Sequence, residues 1–179
     1  MNVCLSVMAP SDQEFLRKLR SNPDVADWLF APTRDITAEE QGVWYRKVMR
    51  DPYHLVWIAR TDHIDPYRIP ALWGEQVGYG QLYDIDMLHM TAEIGVAVAP
   101  FYHRQGCGGA ITERLLHYAF EMIGLHSVTA RVFCHNPNAL MMFGHCGFSV
   151  RGWLPDAIYK QGRFRDVFLM SRLNNVEAD

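Results

Sequence analysis

Apolar residues recur along this chain with two periods, one near two and one near three and a half. Val3 to Met8 alternates closely enough for an opening strand. Ser11-Asp-Gln-Glu14 has the form of a capping box, and Phe15, Leu16 and Leu19 follow on one helical face. Asn22-Pro23 caps and starts a second short helix through Ala26, Trp28 and Leu29. Thr37-Ala-Glu-Glu40 is another capping box, opening a helix with Val43, Trp44, Lys47 and Val48 that ends before Asp51-Pro52. His54 to Arg60 reads as a buried strand. Thr61 to Glu75 holds two prolines and a glycine and reads as an irregular connection, long enough to hint at a functional or mobile loop. Gln76 to Tyr83 alternates, with Val77, Tyr79, Gln81 and Tyr83 on one face, and Met90 to Val98 is the next strand. Short connections between these strands predict an antiparallel meander.

Beyond a glycine-rich stretch, an amphipathic helix runs from Ile111 to Ile123 and stops near Gly124. Ser127 to Cys134 is a β-branched strand. Asn136-Pro137 starts a short helix that ends at Gly147. Phe148 to Trp153 is a strand, and Asp156–Tyr159 with Arg163–Met170 form a hairpin turning at Gln161-Gly162. The predicted order is β-α-α-α-β-β-β-α-β-α-β-β. It describes an α/β (α+β) fold, a mixed and mostly antiparallel sheet flanked by helices, in a single domain over residues 1–179 with a frayed tail at 173–179.

Charge and composition mainly exclude. Seventeen basic against twenty acidic residues give a formal charge of -3 with no basic run, so nucleic acid is not an expected partner. No apolar stretch approaches the ~20 residues of a membrane span, and the first ten residues lack a basic region followed by an apolar core, so no signal peptide is expected. Four scattered cysteines, Cys4, Cys107, Cys134 and Cys146, read as reduced thiols of a cytoplasmic protein. Cys134-His135 and His145-Cys146 lack a chelating spacing, and no metal is expected.

The chemistry concentrates in Tyr102-His-Arg-Gln-Gly106-Cys-Gly108-Gly-Ala110, where a strand ends, glycines turn the chain and a helix starts. Glycines there let a ligand approach the backbone, and the first amides of the helix suit a phosphate. A P-loop would need Gly-Lys followed by Ser or Thr, which is absent. A dinucleotide fingerprint would need a third glycine where Ile111 stands.

The stretch His103-Arg-Gln-Gly106-Cys-Gly108 resembles the acetyl-CoA loop of the GNAT N-acyltransferase superfamily, with His103 in place of the usual Gln or Arg. Asn136-Pro-Asn-Ala139…Phe143…Gly147-Phe148 resembles a second segment of that family. Together the two motifs and the helix–strand order cover nearly the whole chain. Within the family the chain is similar to ribosomal-protein N-terminal, spermidine and aminosugar-nucleotide (pseudaminic acid pathway) acetyltransferases. Its front segment, Arg20 to Trp28 and Ile36 to Tyr45, is most similar to the last group.

The resemblance implies direct transfer of an acetyl group from acetyl-CoA to a primary amine, with an amino-sugar nucleotide ahead of a polyamine or a protein N-terminus, and it leaves room for a homodimer. It places the donor against Val96, Val98, Arg104, Gln105, Gly106, Cys107, Gly108, Gly109, Asn136 and Phe143. Backbone amides of the preceding strand would steady the oxyanion. Glu93 is the candidate base for the amine, since it shares a strand face with the small Gly95 and Ala97 that a cleft would need; a solvated glutamate is the alternative. Asp84 and Asp86 could join Glu93 in an acidic cleft. Trp28, Trp44, Tyr79 and Tyr83, with Tyr45, are candidates to line the acceptor pocket. Phe143 stands where many members carry a tyrosine acid, and Tyr102, His145 and Cys146 are weak substitutes. That departure keeps open a second class, an acyl-CoA-binding module without turnover. Cys107, at a helix start, has a further reading as an activated thiolate.

Overall fold

The computed structural model describes residues 2–31, 33–61 and 74–174. Most of the irregular connection expected after Thr61, and the end of the polar tail, lie outside the described residues. The elements follow the predicted order: β1 (Val3–Val7), α1 (Gln13–Ser21), α2 (Pro23–Ala26), α3 (Ala38–Arg50), β2 (Leu55–Thr61), β3 (Gln76–Asp86), β4 (Thr91–Val98), α4 (Cys107–His117), β5 (Ser127–Phe133), α5 (Pro137–His145), β6 (Ser149–Lys160) and β7 (Arg163–Leu173). The seven strands form one sheet in the order β1-β2-β3-β4-β5-β7-β6. Every neighbouring pair is antiparallel except β4 and β5.

Period-two alternation gives the sheet two apolar faces. On one, Leu82, Ile94 and Val128 pack with Ile111, Leu115 and Leu116 of α4 and with Phe143 of α5. On the other, Val56, Ile58, Tyr79 and Ala97 pack under Leu16, Leu19 and Val48 of the front helices. The Ile94/Val96/Val98 and Glu93/Gly95/Ala97 faces of β4 separate as alternation demands. Gly80 lets α4 sit directly on β3, since a Cβ there would lie 2.6 Å from Leu115 Cδ1 and 2.7 Å from Ile111 Cγ2.

Local chemistry explains the boundaries. Asn22 Oδ1 accepts from Asp24 N at 2.9 Å, and Thr37 and Glu40 form their reciprocal box at 3.2 and 2.9 Å. The expected Ser11–Glu14 box does not form. Pro10–Asp12 is a 3₁₀ turn, and Asp12 does the capping: its buried carboxylate accepts from Ala9 N at 2.9 Å, Arg60 at 2.5 Å and Gln76 at 2.6 Å. Glu14 is left to solvent, paired with Arg17. The helix expected from Ile111 starts four residues earlier, at Cys107, and its last turn, Tyr118–Met122, is a π-helix. The two short strands expected between Phe148 and Tyr159 are one strand, β6, because β7 pairs with it on both sides of Pro155. Register shifts between Val150 and Gly152 and between Leu154 and Ile158 absorb Pro155 at the sheet edge. Gln161 and Gly162, at φ of 51° and 78°, make the tight hairpin turn that closes it.

Candidate active site

Parallel strands β4 and β5 pair only through Thr91↔Ser127, Ala92↔Val128 and Glu93↔Thr129. From Ile94 to Val98, β4 keeps its ladder with β3 but has no β5 partner. The two strands diverge there, which leaves main-chain groups of β4 facing an opening in the sheet. At the end of β4, His103 Nε2 meets the Val98 carbonyl at 2.8 Å.

The glycine loop follows at once. Arg104 and Gly106 are left-handed, at φ of 59° and 81°, and this reverses the chain into α4. Ala110 N bonds to Gly106 O at 3.0 Å, and the amides that open an α-helix lack acceptors within it. A Cβ on Gly106 or on Gly109 would meet no atom within 4 Å. Packing therefore does not demand glycine at either place; the space above both is open, next to an amide-rich helix end that favours negative charge. Arg104 is exposed beside it. Asn136 Oδ1 caps α5 by accepting from Ala139 N at 3.1 Å, and Phe143 is buried against Phe148, with ring centroids 5.0 Å apart. Thr112 joins the two helices, donating to Gly108 O at 2.9 Å while lying 3.2 Å from Met142 Sδ.

The face of the sheet under the front helices carries the polar groups. Glu93 projects from β4 just where β5 parts from it. The Tyr83 hydroxyl donates to its carboxylate, and Arg131 Nε, from β5, lies 2.8 and 3.0 Å from the two oxygens. Burial, and then the neighbouring carboxylate, push the Tyr83 phenol well above its ordinary range. From Tyr83 a row of rings runs to His54 (5.7 Å) and Trp44 (6.4 Å), with Arg20 stacked 4.5 Å over Trp44. On the opposite side Arg131 lies over Phe30 (5.2 Å), which packs on Phe133, followed by His135 and Trp28.

Trp44 and Tyr83 thus stand along one row and Trp28 along the other, whereas Tyr79 is buried in the core beneath the front helices. The open space expected over Gly95 and Ala97 is filled. Gln81, held by His54 at 3.0 Å, lies against Gly95, and Ala97 belongs to the front core. Asp86 does not join Glu93: its carboxylate is spent on Leu88 N, His89 N and the His89 ring within the β3–β4 turn, and Asp84 is exposed. The Tyr102 hydroxyl is engaged by Glu75. His145 Nδ1 contacts Met141 O at 2.8 Å, at the end of its helix. Burial raises the Cys107 thiol, and burial followed by Glu113 raises Cys146 to about 11, so neither is an activated thiolate. Among the described residues no group of three or more His, Cys, Asp or Glu side chains is placed to hold a metal ion, and no helix is long and apolar enough to cross a membrane. Arg131, His54, Gln81 and Phe30 escaped the sequence reading. The alternation Thr129/Arg131/Phe133 carried the signal for Arg131, a charged residue in a strand with no other charge.

Residues 2–149 match the family model of the acetyltransferase (GNAT) domain. The chain belongs to the GNAT acetyltransferase family. As a GNAT protein it takes its acyl group from acetyl-CoA. Spermidine N(1)-acetyltransferase from Vibrio cholerae is 31% identical over 91 residues, 51% of this chain, and the match spans 53% of that protein, about half its length. Its Escherichia coli K12 counterpart is 22% identical over 169 residues, 94% of this chain and 84% of that protein. The crystal structure of the V. cholerae spermidine N-acetyltransferase in complex with CoA and spermine shares the fold, with a TM-score of 0.86 and 24% identity over 96% of this chain and 95% of that one.

Proposed function

We propose that this GNAT protein acetylates a terminal amino group of a polyamine, by direct transfer from acetyl-CoA. The observation that carries the reading is the divergence of β4 from β5 directly before the glycine loop, with one carboxylate, Glu93, at its vertex. The pyrophosphate would rest on the amides from Arg104 to Gly109. The thioester would lie along Ile94–Val98, where backbone N–H groups of β4 polarise its carbonyl. The amine reaches that carbonyl beside Glu93, which takes its proton directly or through one water. The nitrogen then attacks, the C–N bond forms, the C–S bond breaks, and the proton released by the amine ends on the sulfur of CoA. Phe143 has no proton to give, so in this reading the thiolate leaves without a tyrosine acid.

The polyamine class replaces the amino-sugar nucleotide favoured by the front segment. Spermidine acetyltransferases are among the relatives that match nearly the whole chain, and an alkylammonium suits a lone carboxylate flanked by aromatic faces. Protein incubated with acetyl-CoA and equimolar spermidine, an amino-sugar nucleotide and a peptide with a free N-terminus tests this. Mass spectrometry is expected to show acetylation of spermidine first. Preferential modification of the sugar nucleotide or the peptide would refute the polyamine assignment while leaving acetyl transfer intact.

A further inference from the structure

We propose that Arg131 is a resident counter-cation: it occupies the place at Glu93 that the acceptor's ammonium must take, and so sets how tightly the amine is held. The inference rests on the reading of Glu93 as the acceptor-facing carboxylate. Glu93 is the last residue of β4 paired with β5, through Thr129, and Arg131 is two residues further along β5 on the same face. The pair therefore closes the vertex of the opening. Arg131 Nε reaches both carboxylate oxygens, at 2.8 and 3.0 Å, and the Glu93 side chain is only 13% exposed, so a second cation finds little unclaimed oxygen.

Two further features fit a displaceable cation better than a fixed rivet. The Arg131 guanidinium already lies 5.2 Å from the Phe30 ring, an exposed aromatic face on which it can rest once its carboxylate is taken. Tyr83 donates to Glu93 as well, so the carboxylate stays in place when the guanidinium leaves. Arg131 is itself 36% exposed, which keeps its exchange affordable.

Steady-state kinetics of Arg131→Gln with spermidine as the varied substrate tests the idea. Removing the competitor is expected to lower the KM for spermidine about three- to tenfold, each tenfold being ~1.4 kcal/mol. The effect is expected to be largest at low salt and to leave the KM for acetyl-CoA unchanged; Arg131→Lys is expected to restore the wild-type value. Phe30→Leu, which removes the resting place but not the ion pair, is expected to raise the spermidine KM and keeps the proposal testable should Arg131→Gln not fold. A rivet between β4 and β5 predicts the opposite sign: a spermidine KM that is unchanged or higher in Arg131→Gln, or unchanged in Phe30→Leu, overturns the counter-cation. Wild-type protein that turns over no amine at all overturns the underlying reading along with it.

Discussion

Lys160→Met probes the link between the far hairpin and the proposed acceptor wall. Lys160 is the last residue of β6, and only 6% of it is exposed. Its ammonium donates all three protons to backbone carbonyls, Ala26 O at 2.6 Å, Leu29 O at 2.5 Å and Ala31 O at 2.7 Å. These belong to the end of α2 and the segment after it, which carries Trp28 and Phe30; Gln161 adds a bond to Asp27 at 2.7 Å. A hydrogen bond to a charged group contributes ~1.5–3 kcal/mol, so three give roughly 5–9 kcal/mol gross. Desolvation of a buried ammonium takes back several kcal/mol. Methionine keeps the apolar stem and removes both terms, but leaves three carbonyls to find other partners. We expect a loss of ~2–3 kcal/mol in urea unfolding and a drop in Tm of roughly 5–10 °C. The KM for the amine should rise, because Trp28 and Phe30 lose their anchor, while CoA affinity by titration stays as it was, since the glycine loop lies elsewhere. A loss under ~0.5 kcal/mol would refute the stability argument. A normal amine KM in a clearly destabilised variant would show that the segment does not shape the acceptor side.

Three other outcomes follow from the geometry. Gly106→Glu should fold, since its Cβ meets no atom within 4 Å and a left-handed side chain costs only ~1–2 kcal/mol, yet it should lose CoA binding by at least about a hundredfold, from lost backbone access and like charge; unchanged affinity by calorimetry places the pyrophosphate elsewhere. Glu93→Gln should lower turnover most at low pH, where the amine arrives protonated, without altering CoA affinity; an equal fractional effect across the pH range removes Glu93 as base. The Arg34 guanidinium, and then the Thr37 amide, hold the Glu40 carboxyl at about 2, below its usual 4.5. A depressed carboxyl stabilises the fold fully above the unfolded value and loses that contribution as pH falls through the folded one, so Glu40→Gln should flatten the acid limb of stability between pH 4.5 and about 2; a wild-type acid limb in the variant contradicts the assignment.

Much of the scaffold was legible because its local signals and its long-range packing agree. Asn22-Pro23, Thr37 to Glu40 and Asn136-Pro137 each cap a helix in the structure. Period-two alternation placed Glu93 opposite Ile94. Where local and tertiary demands conflict, the sequence misleads. Ser11 and Glu14 spell a capping box, but Asp12 is drawn into a buried network with Arg60 and Gln76, partners 48 and 64 residues away. Phe148–Trp153 and Asp156–Tyr159 read as two strands, yet they form one, since Pro155 between them lies on an edge strand with no neighbour to miss its N–H. The glycine loop was readable as a turn into a helix because it is one contiguous segment whose shape is set by its own backbone. The polar cluster around Glu93 was legible only in part: alternation brought out Glu93 and Tyr83, but Arg131, Phe30 and His54 come from separate segments that only the sheet order and the packing bring together.

The central claim, direct transfer at the divergence of β4 and β5, is tested most directly by a single turnover with limiting acetyl-CoA and saturating spermidine, quenched over time. The account predicts that free CoA thiol and acetylated spermidine appear at one rate and in equal amounts, with the protein unmodified in intact mass. Thiol release ahead of product with an acetylated protein, or no thiol release at any amine concentration, would contradict it.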